Sequence, residues 1–455
     1  MLFRSPHVTN LNAYQSWPGF FAVAATWLVG SHASSWLGPA QWAPLFFGLL
    51  DVLALHAVFT ALDTDRRVIW TGVWLFALGN WIGQDYFSPQ AFAFFLYLVV
   101  ILLVVRFLAH RSDRTALGTV LLCTAAIASS HPLTPFVLVV AVGLVGLTGG
   151  IVARRLPFAV AAVVGAWLVT GALGYMRVTL PSILGGITTL GGTVDQSLAK
   201  SAHASASQHL VALAGRGEVA VVALVACAGV ARRARTGRWD RTALVLAVAP
   251  AAILAGGSYG GEAAFRVYFF ALPFLAFLAA ACCYPSRGRR GVAASVFMVA
   301  VSAVTLTGFL FGYFGKEEWS HFSLDEVRAA ETVFGAAPAH SLVVDGTGDY
   351  PIGFANFENV TYLHIAAEPA DSVARLLAAP EPVLYGWLSD TRYARGYLVI
   401  TRSEEAESDA LGLLPHGALG RIASALLASP RFTVLYHGPD ADVFTVARLD
   451  AARTG

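Results

Sequence analysis

Long apolar runs recur through the first 315 positions, each broken by a short polar loop. A hydrocarbon core about 30 Å thick needs roughly 20 apolar residues per helix. The runs near 42–61, 68–83, 91–109, 116–131, 136–153, 157–176, 217–231, 241–256, 267–284 and 292–315 therefore predict about ten spanning helices. An earlier stretch, Trp17 to Gly30, is short for a span and opens on Pro18-Gly19. Trp17, Trp27 and Trp36 flank or punctuate it, a placement that favours a helix lying in the membrane interface. Beyond residue 316 the pattern changes. Asp325–Phe334 is helix-like, and Ser341–Val344, Val360–His364, Gly396–Thr401, Phe432–His437 and Val443–Ala447 are short β-rich runs punctuated by Gly, Pro and Asp. The fold class expected is an all-α polytopic membrane bundle, residues 1–315, with an N-terminal interfacial helix and a small extracytoplasmic α/β domain, residues 316–455.

Composition narrows this picture. Hydrophobic residues make up 56% of the 455 positions and charged residues 13%, against about 25% charged in ordinary soluble domains. An ordinary soluble enzyme and a disordered chain are both excluded. The net charge of +2 is split unevenly: residues 1–315 carry a balance of +11 and residues 316–455 one of −9. Fourteen arginines fall in one alternate set of loops, at 66–67, 111–114, 154–155, 232–241 and 287–290; the opposite loops hold Arg177, Lys200, Arg216 and Arg266. By the positive-inside rule the first set is cytoplasmic, so the loops at 84–90, 132–135, 177–216 and 257–266, and the tail, face outward. The basic residues are dispersed, which argues against nucleic acid. Cys123, Cys227, Cys282 and Cys283 all sit in apolar runs and give no disulfide or metal spacing. Met1–Asn12 is polar, and no charged region precedes a short apolar core, so no signal peptide is expected.

Polar residues beside a membrane are costly and rarely idle. Three outer segments stand out. Asn80–Gln90 gathers Gln84, Asp85, Tyr86 and Ser88; Asp85 or Ser88 would equally serve to cap the helix opening after Pro89. Ser129–Pro135 places His131 beside Pro132 at a helix end, either facing a polar cavity or bonded to its own turn. Gly256–Arg266 carries Tyr259, Glu262 and Arg266; the last two share a helix face, as a phosphate fork with an acid or as a self-contained ion pair. Asp51 and His56 lie inside an early span and read as structural polar contacts, and the loop 177–216 reads as a mobile, lid-like segment.

The order of features resembles the GT-C membrane glycosyltransferases, the superfamily of protein mannosyltransferases and aminoarabinose transferases. The resemblance rests on Tyr14-Gln-Ser-Trp17-Pro18-Gly19-Phe20-Phe21 and the apolar stretch to Gly30. It continues through Trp36–Leu55, the outer loop Gln84–Gln90, His131 beginning a later helix, and the acidic tail. It covers most of the chain by layout. GT-C enzymes usually begin with a spanning helix and a loop bearing a catalytic acid, whereas no Asp or Glu precedes Asp51 here. The expectation is a chain that starts after that helix: truncated relative to the family, completed by a separate chain that supplies the missing part, or an inactive member. What the resemblance implies is transfer of a sugar from a lipid-phosphate donor to a cell-envelope acceptor at the outer face. Asp85, His131 and Glu262 are then the catalytic candidates, Arg266 and Tyr259 hold the donor phosphate, and Gln84, Tyr86 and Ser88 contact substrate. No dedicated metal cluster is evident; a divalent ion on Asp or Glu oxygens is the one cofactor this chemistry would admit. The partners are the lipid-linked donor and membrane lipids. The competing class is a non-catalytic transporter, lipid handler or envelope-assembly scaffold.

Overall fold

The computed structural model describes residues 13–33, 35–109, 113–148, 151, 154–187, 204–256, 262–284, 292–352 and 360–446. These form two compact units. The first holds the described residues up to 187 and 213–313, and the second holds 204–212 and 314–446. The break at 313/314 lies two residues before the expected boundary.

The first unit is helical: α1 Gly19–Ser31, α2 Ala43–Leu62, α3 Arg66–Gly79, α4 Pro89–Leu103, α5 Arg114–Ser130, α6 Thr134–Leu147, α7 Leu156–Thr170, α8 Leu173–Ile187, α9 Ala206–Arg235, α10 Arg241–Val248, α11 Ala263–Cys283 and α12 Val292–Phe314. The start of α9 and the last residue of α12 belong to the second unit. Among the described residues, five helical segments are long and apolar enough to cross a membrane: Ala43–Leu62, Pro89–Leu108, Ala206–Arg235, Ala263–Cys283 and Ala294–Ser320. A sixth is counted if α7 and Leu173–Pro181, bent by 95°, act as one. The other apolar runs form shorter helices because they include loop residues. The run at 68–83 stops helically at Gly79, and the run at 116–131 stops at Ser130 before His131-Pro132.

Local chemistry sets several starts. Asp65, Ser88 and Asp113 sit in extended conformation before α3, α4 and α5, and each side chain accepts a first-turn backbone N–H. Pro89 then occupies the position where a missing N–H costs nothing. At the centre, α11 is buried along almost its whole length from Tyr268 to Cys283. Glycines let its neighbours approach. Gly72 of α3 packs 3.4 Å (as an added Cβ) from the Cα of Phe277, and a Cβ on Gly229 of α9 would lie 1.9 Å from the Leu278 carbonyl.

Arg233, expected among the cytoplasmic loop charges, closes the last turn of α9 and is 1% exposed. Its guanidinium donates to Asp63, between α2 and α3, and to both oxygens of Asp240 at 2.8 Å; Arg238 reaches Asp63 at 3.3 Å. This ion network ties two loops together at one end of the bundle.

The second unit has α13 Leu324–Ala336, β1 Ser341–Asp345, β2 Val360–His364, α14 Ala370–Ala378, α15 Pro380–Leu388, β3 Gly396–Thr401, α16 Arg402–Leu411, α17 Ala418–Leu427, β4 Phe432–His437 and β5 Ala441–Val446. Three of the expected strands have the expected bounds; β1 runs one residue further and β5 starts at Ala441. The sheet order is β2-β1-β3-β5-β4, with β1 parallel to both β2 and β3 and β5 antiparallel to β3 and β4. Strand alternation assigns the two faces. Leu342, Val344, Leu398, Ile400 and Phe444 pack with α15 and α17, and Val343, Tyr397, Val399 and Val443 with α13.

Candidate functional site

The loop between α3 and α4 is the hub of the polar residues in the helical unit. It turns through Gly83, whose φ of +66° is a conformation that favours glycine. Beyond it, Gln84 and the buried Gln90 present their amide oxygens to Arg266, one turn into α11. Arg266 donates through Nη1 to Gln84 and, at 3.4 Å, to Gln90, and through Nη2 to Glu262 at 2.8 Å. The Arg266 side chain is only 12% exposed, whereas that of Glu262 is 52% exposed. His131 lies within electrostatic reach of the Arg266 charge. Three sequence candidates thus bond together, Gln84, Glu262 and Arg266, with His131 in the field of the Arg266 charge.

Each also shows its alternative role. Glu262 forms the i,i+4 ion pair that the spacing allowed. His131 serves its own turn: Nδ1 accepts from the N–H of Leu133 at 3.3 Å and of Thr134 at 3.1 Å, beside the Thr134 hydroxyl at 2.9 Å. Two N–H donors on Nδ1 leave the ring proton on Nε2 when the imidazole is neutral. Ser88 is buried and caps α4, accepting from Ala91 N–H at 3.2 Å. Tyr86 is 51% exposed. Tyr259 lies outside the described residues, as do Asp195, Lys200 and His203 of the expected lid.

Asp85 does not touch Arg266. It accepts from the Tyr313 hydroxyl of α12 at 3.3 and 3.5 Å, and burial pushes its carboxyl above the ordinary range against that bond and its own backbone N–H. Asp51, 6% exposed in α2, lies within its electrostatic reach and has one oxygen without a hydrogen-bond partner. His56 packs on the Trp70 ring at 4.6 Å. Against the same loop pack α1 and Trp36, which follows it. Phe87 stacks on Trp36 at 4.6 Å and meets Phe20 at 4.9 Å, while Gly19 presses against Ser129 and Ser130, just before His131.

Glu218 escaped the sequence reading. It is 2% exposed in the middle of α9, and neither carboxyl oxygen has a partner. Its carboxyl meets Gly308 of α12, and its charge reaches Tyr268 of α11. One turn away on both helices, Gly215 and Gly312 enclose the Trp81 ring, whose Nε1 is also unpartnered. The available signal was a lone carboxylate in an apolar run; the two glycines that make room for it became visible only through packing. Among the described residues, no group of three or more His, Cys, Asp or Glu is placed to hold a metal ion.

No protein-family model matches the chain, and no curated protein matches it.

Proposed function

We propose that the helical unit is a membrane glycosyltransferase of the GT-C type, taking its sugar from a lipid-phosphate donor. The observation that carries this reading is the convergence of Arg266 with the Gln84 and Gln90 amides at one helix start, with Asp85 on the same loop. The Arg266 fork is suited to a phosphate, which would displace Glu262, the most exposed of its partners. Asp85, its carboxyl raised by burial, is suited to take a proton from an acceptor hydroxyl. In the transfer, the acceptor oxygen bonds to the anomeric carbon as the bond from that carbon to the phosphate oxygen breaks. The acceptor proton passes to Asp85, and the leaving phosphate keeps the electron pair beside Arg266.

The same reading puts the Asn80–Gln90 loop and the sheet unit on the extracytoplasmic side, lets the shorter apolar helices complete about ten crossings, and lays α1 in the interface. A second reading, a non-catalytic lipid handler or transporter, is favoured by one observation: Asp51 and Glu218 are buried within apolar helices, Asp51 with one unpartnered oxygen and Glu218 with two. Transport paths need polar groups at depth.

Purified protein tests the two. With undecaprenyl phosphate as probe, Arg266→Ala should weaken binding about tenfold or more, the scale of a lost charged hydrogen bond. Arg266→Lys should restore part of it. With a polyprenyl-phosphate sugar and a hydroxyl acceptor, Asp85→Asn should cut turnover by about 10²-fold while leaving donor binding near wild type. Probe binding without transfer to any acceptor supports the lipid handler; unchanged binding in Arg266→Ala sinks the site.

A further inference from the structure

The sheet unit holds a second concentration of buried polar groups, far from Arg266 in sequence and built on different elements. Asp345 and His364 are the last residues of β1 and β2 and are register partners across that parallel pair. The chain leaves β1 toward β2 on one side and returns to β3 on the other. The carboxyl ends around β1 are therefore the topological switch point, where open α/β sheets form a crevice. The turn after β1 passes through Gly348 at φ +88°, so close to the His364 ring that an added Cβ would lie 3.0 Å from its Cε1.

The polar groups that meet at these carboxyl ends have a definite chemistry. Asp345 is fully buried and bonds His364 Nδ1 through Oδ1 at 2.6 Å, leaving Oδ2 without a partner. Tyr350 is 3% exposed with its hydroxyl likewise unpartnered, and it lies in the field of Asp345, Glu404 and Tyr362. His364 is 37% exposed, its ring roughly parallel to that of Tyr362. An anion has no place here. The N–H groups of Gly346, Thr347 and Gly348, which would hold one, already donate to Glu404 Oε1 at 2.9, 3.1 and 3.4 Å. Asp349 and Glu407 add further acid. The described residues offer no three-ligand metal cluster. An ammonium ligand is opposed by His364, which its bond to Asp345 holds toward the protonated form. What remains is a neutral group that donates to a bare carboxylate oxygen and accepts from a phenol. A hydroxyl does both with one atom, and a neighbouring hydroxyl can meet the second ring nitrogen of His364.

We propose that the sheet unit binds a neutral polyhydroxylated ligand of the sugar or polyol class at the carboxyl ends of β1 and β2, through Asp345, Tyr350 and His364. The proposal does not rest on the transferase reading, because binding is measured without turnover. The full chain is reconstituted in phosphatidylcholine nanodiscs, which carry no sugar headgroup. D-glucose, D-mannose, D-arabinose and myo-inositol are titrated by saturation-transfer NMR, with 1-propanol as the single-hydroxyl control. At least one should bind saturably with a Kd of about 1 mM, about −4 kcal/mol, and 1-propanol should not. Tyr350→Phe and His364→Gln, folded by circular dichroism, should each weaken binding severalfold, while Arg266→Ala should leave it intact. The proposal is overturned if no probe saturates by about 100 mM, a hundred times that Kd. It is also overturned if Tyr350→Phe binds like wild type, or if binding disappears in Arg266→Ala but survives in Tyr350→Phe, which would place the sugar in the helical unit.

Discussion

Single residues carry much of the packing. A Cβ on Gly229 would meet the Leu278 carbonyl 1.9 Å away and the Cys282 nitrogen 3.0 Å away. Both obstacles are backbone of the central helix, so no side-chain rotation relieves the clash. Gly229→Ala should therefore destabilise the helical unit by about 1–3 kcal/mol or more, the range of overpacking. A lower temperature of aggregation in detergent would show it; an unchanged one would mean α9 does not approach α11 this closely. Gly118, with nothing within 4 Å, is the matched control that should tolerate alanine sterically. Glu218 teaches the complementary lesson. Its identity was plain in the sequence, but only the glycines opposite it and its lack of hydrogen bonds separate it from a carboxylate at a helix end.

Among elements, starts are more legible than ends. Ser323 and Thr401 each open a helix of the sheet unit with a complete capping box, closed by Glu326 and Glu404. The two boxes should not respond alike. Ser323→Ala removes one cap oxygen and should cost about 1 kcal/mol. Glu404 also holds the three N–H groups of the β1 turn, so Glu404→Ala leaves buried donors unpaired and should cost more than the cap alone. Urea unfolding followed by circular dichroism would rank them, and equal losses would mean that Glu404 acts only as a cap. The shortness of α3, α5 and α6 was less legible. Hydropathy counts residues such as Trp81 and Ile82 as span, whereas the backbone has already left the helix at Asn80.

For the whole molecule, acidity and orientation become measurable. Burial, the largest cause in each case, raises the carboxyls of Asp345, Asp349 (to about 7), Glu404 (to about 8) and Glu407, and the bond to Asp345 raises His364. Every one of these shifts makes the folded unit hold more protons than the unfolded chain. Stability is thus greatest below the unfolded values and is lost as pH rises through the folded ones, between about pH 5 and 8. Asp390, lowered by its bond to Arg392, has the opposite sign but belongs to a surface pair that solvent screens. Hydrogen exchange of β1 and β3 amides, corrected for intrinsic rates, should show less protection at pH 8 than at pH 5.5; the reverse order would contradict the burial of these acids. If the sheet unit faces outward, protease added to intact cells should remove the chain beyond Lys316. Cleavage seen only after the membrane is opened would invert the proposed topology.

The sequence by itself determined the division into an apolar helical part and a polar α/β part, the positions of the strands, and the polar content of the Asn80–Gln90 loop. These follow from local periodicity, composition and turn residues, which act over a few positions. It also placed Glu262 and Arg266 on one helix face. Tertiary structure decided which distant groups meet: Arg266 with Gln84 and Gln90, Asp85 with Tyr313, Arg233 with Asp63 and Asp240. It also decided that Asp345 and His364 stand side by side at the ends of parallel strands. Such pairings depend on strand order and helix packing, which one chain without a third dimension does not encode in any local window. Burial then fixes their chemistry, because a polar atom removed from water must find its partner wherever the fold brings one within reach.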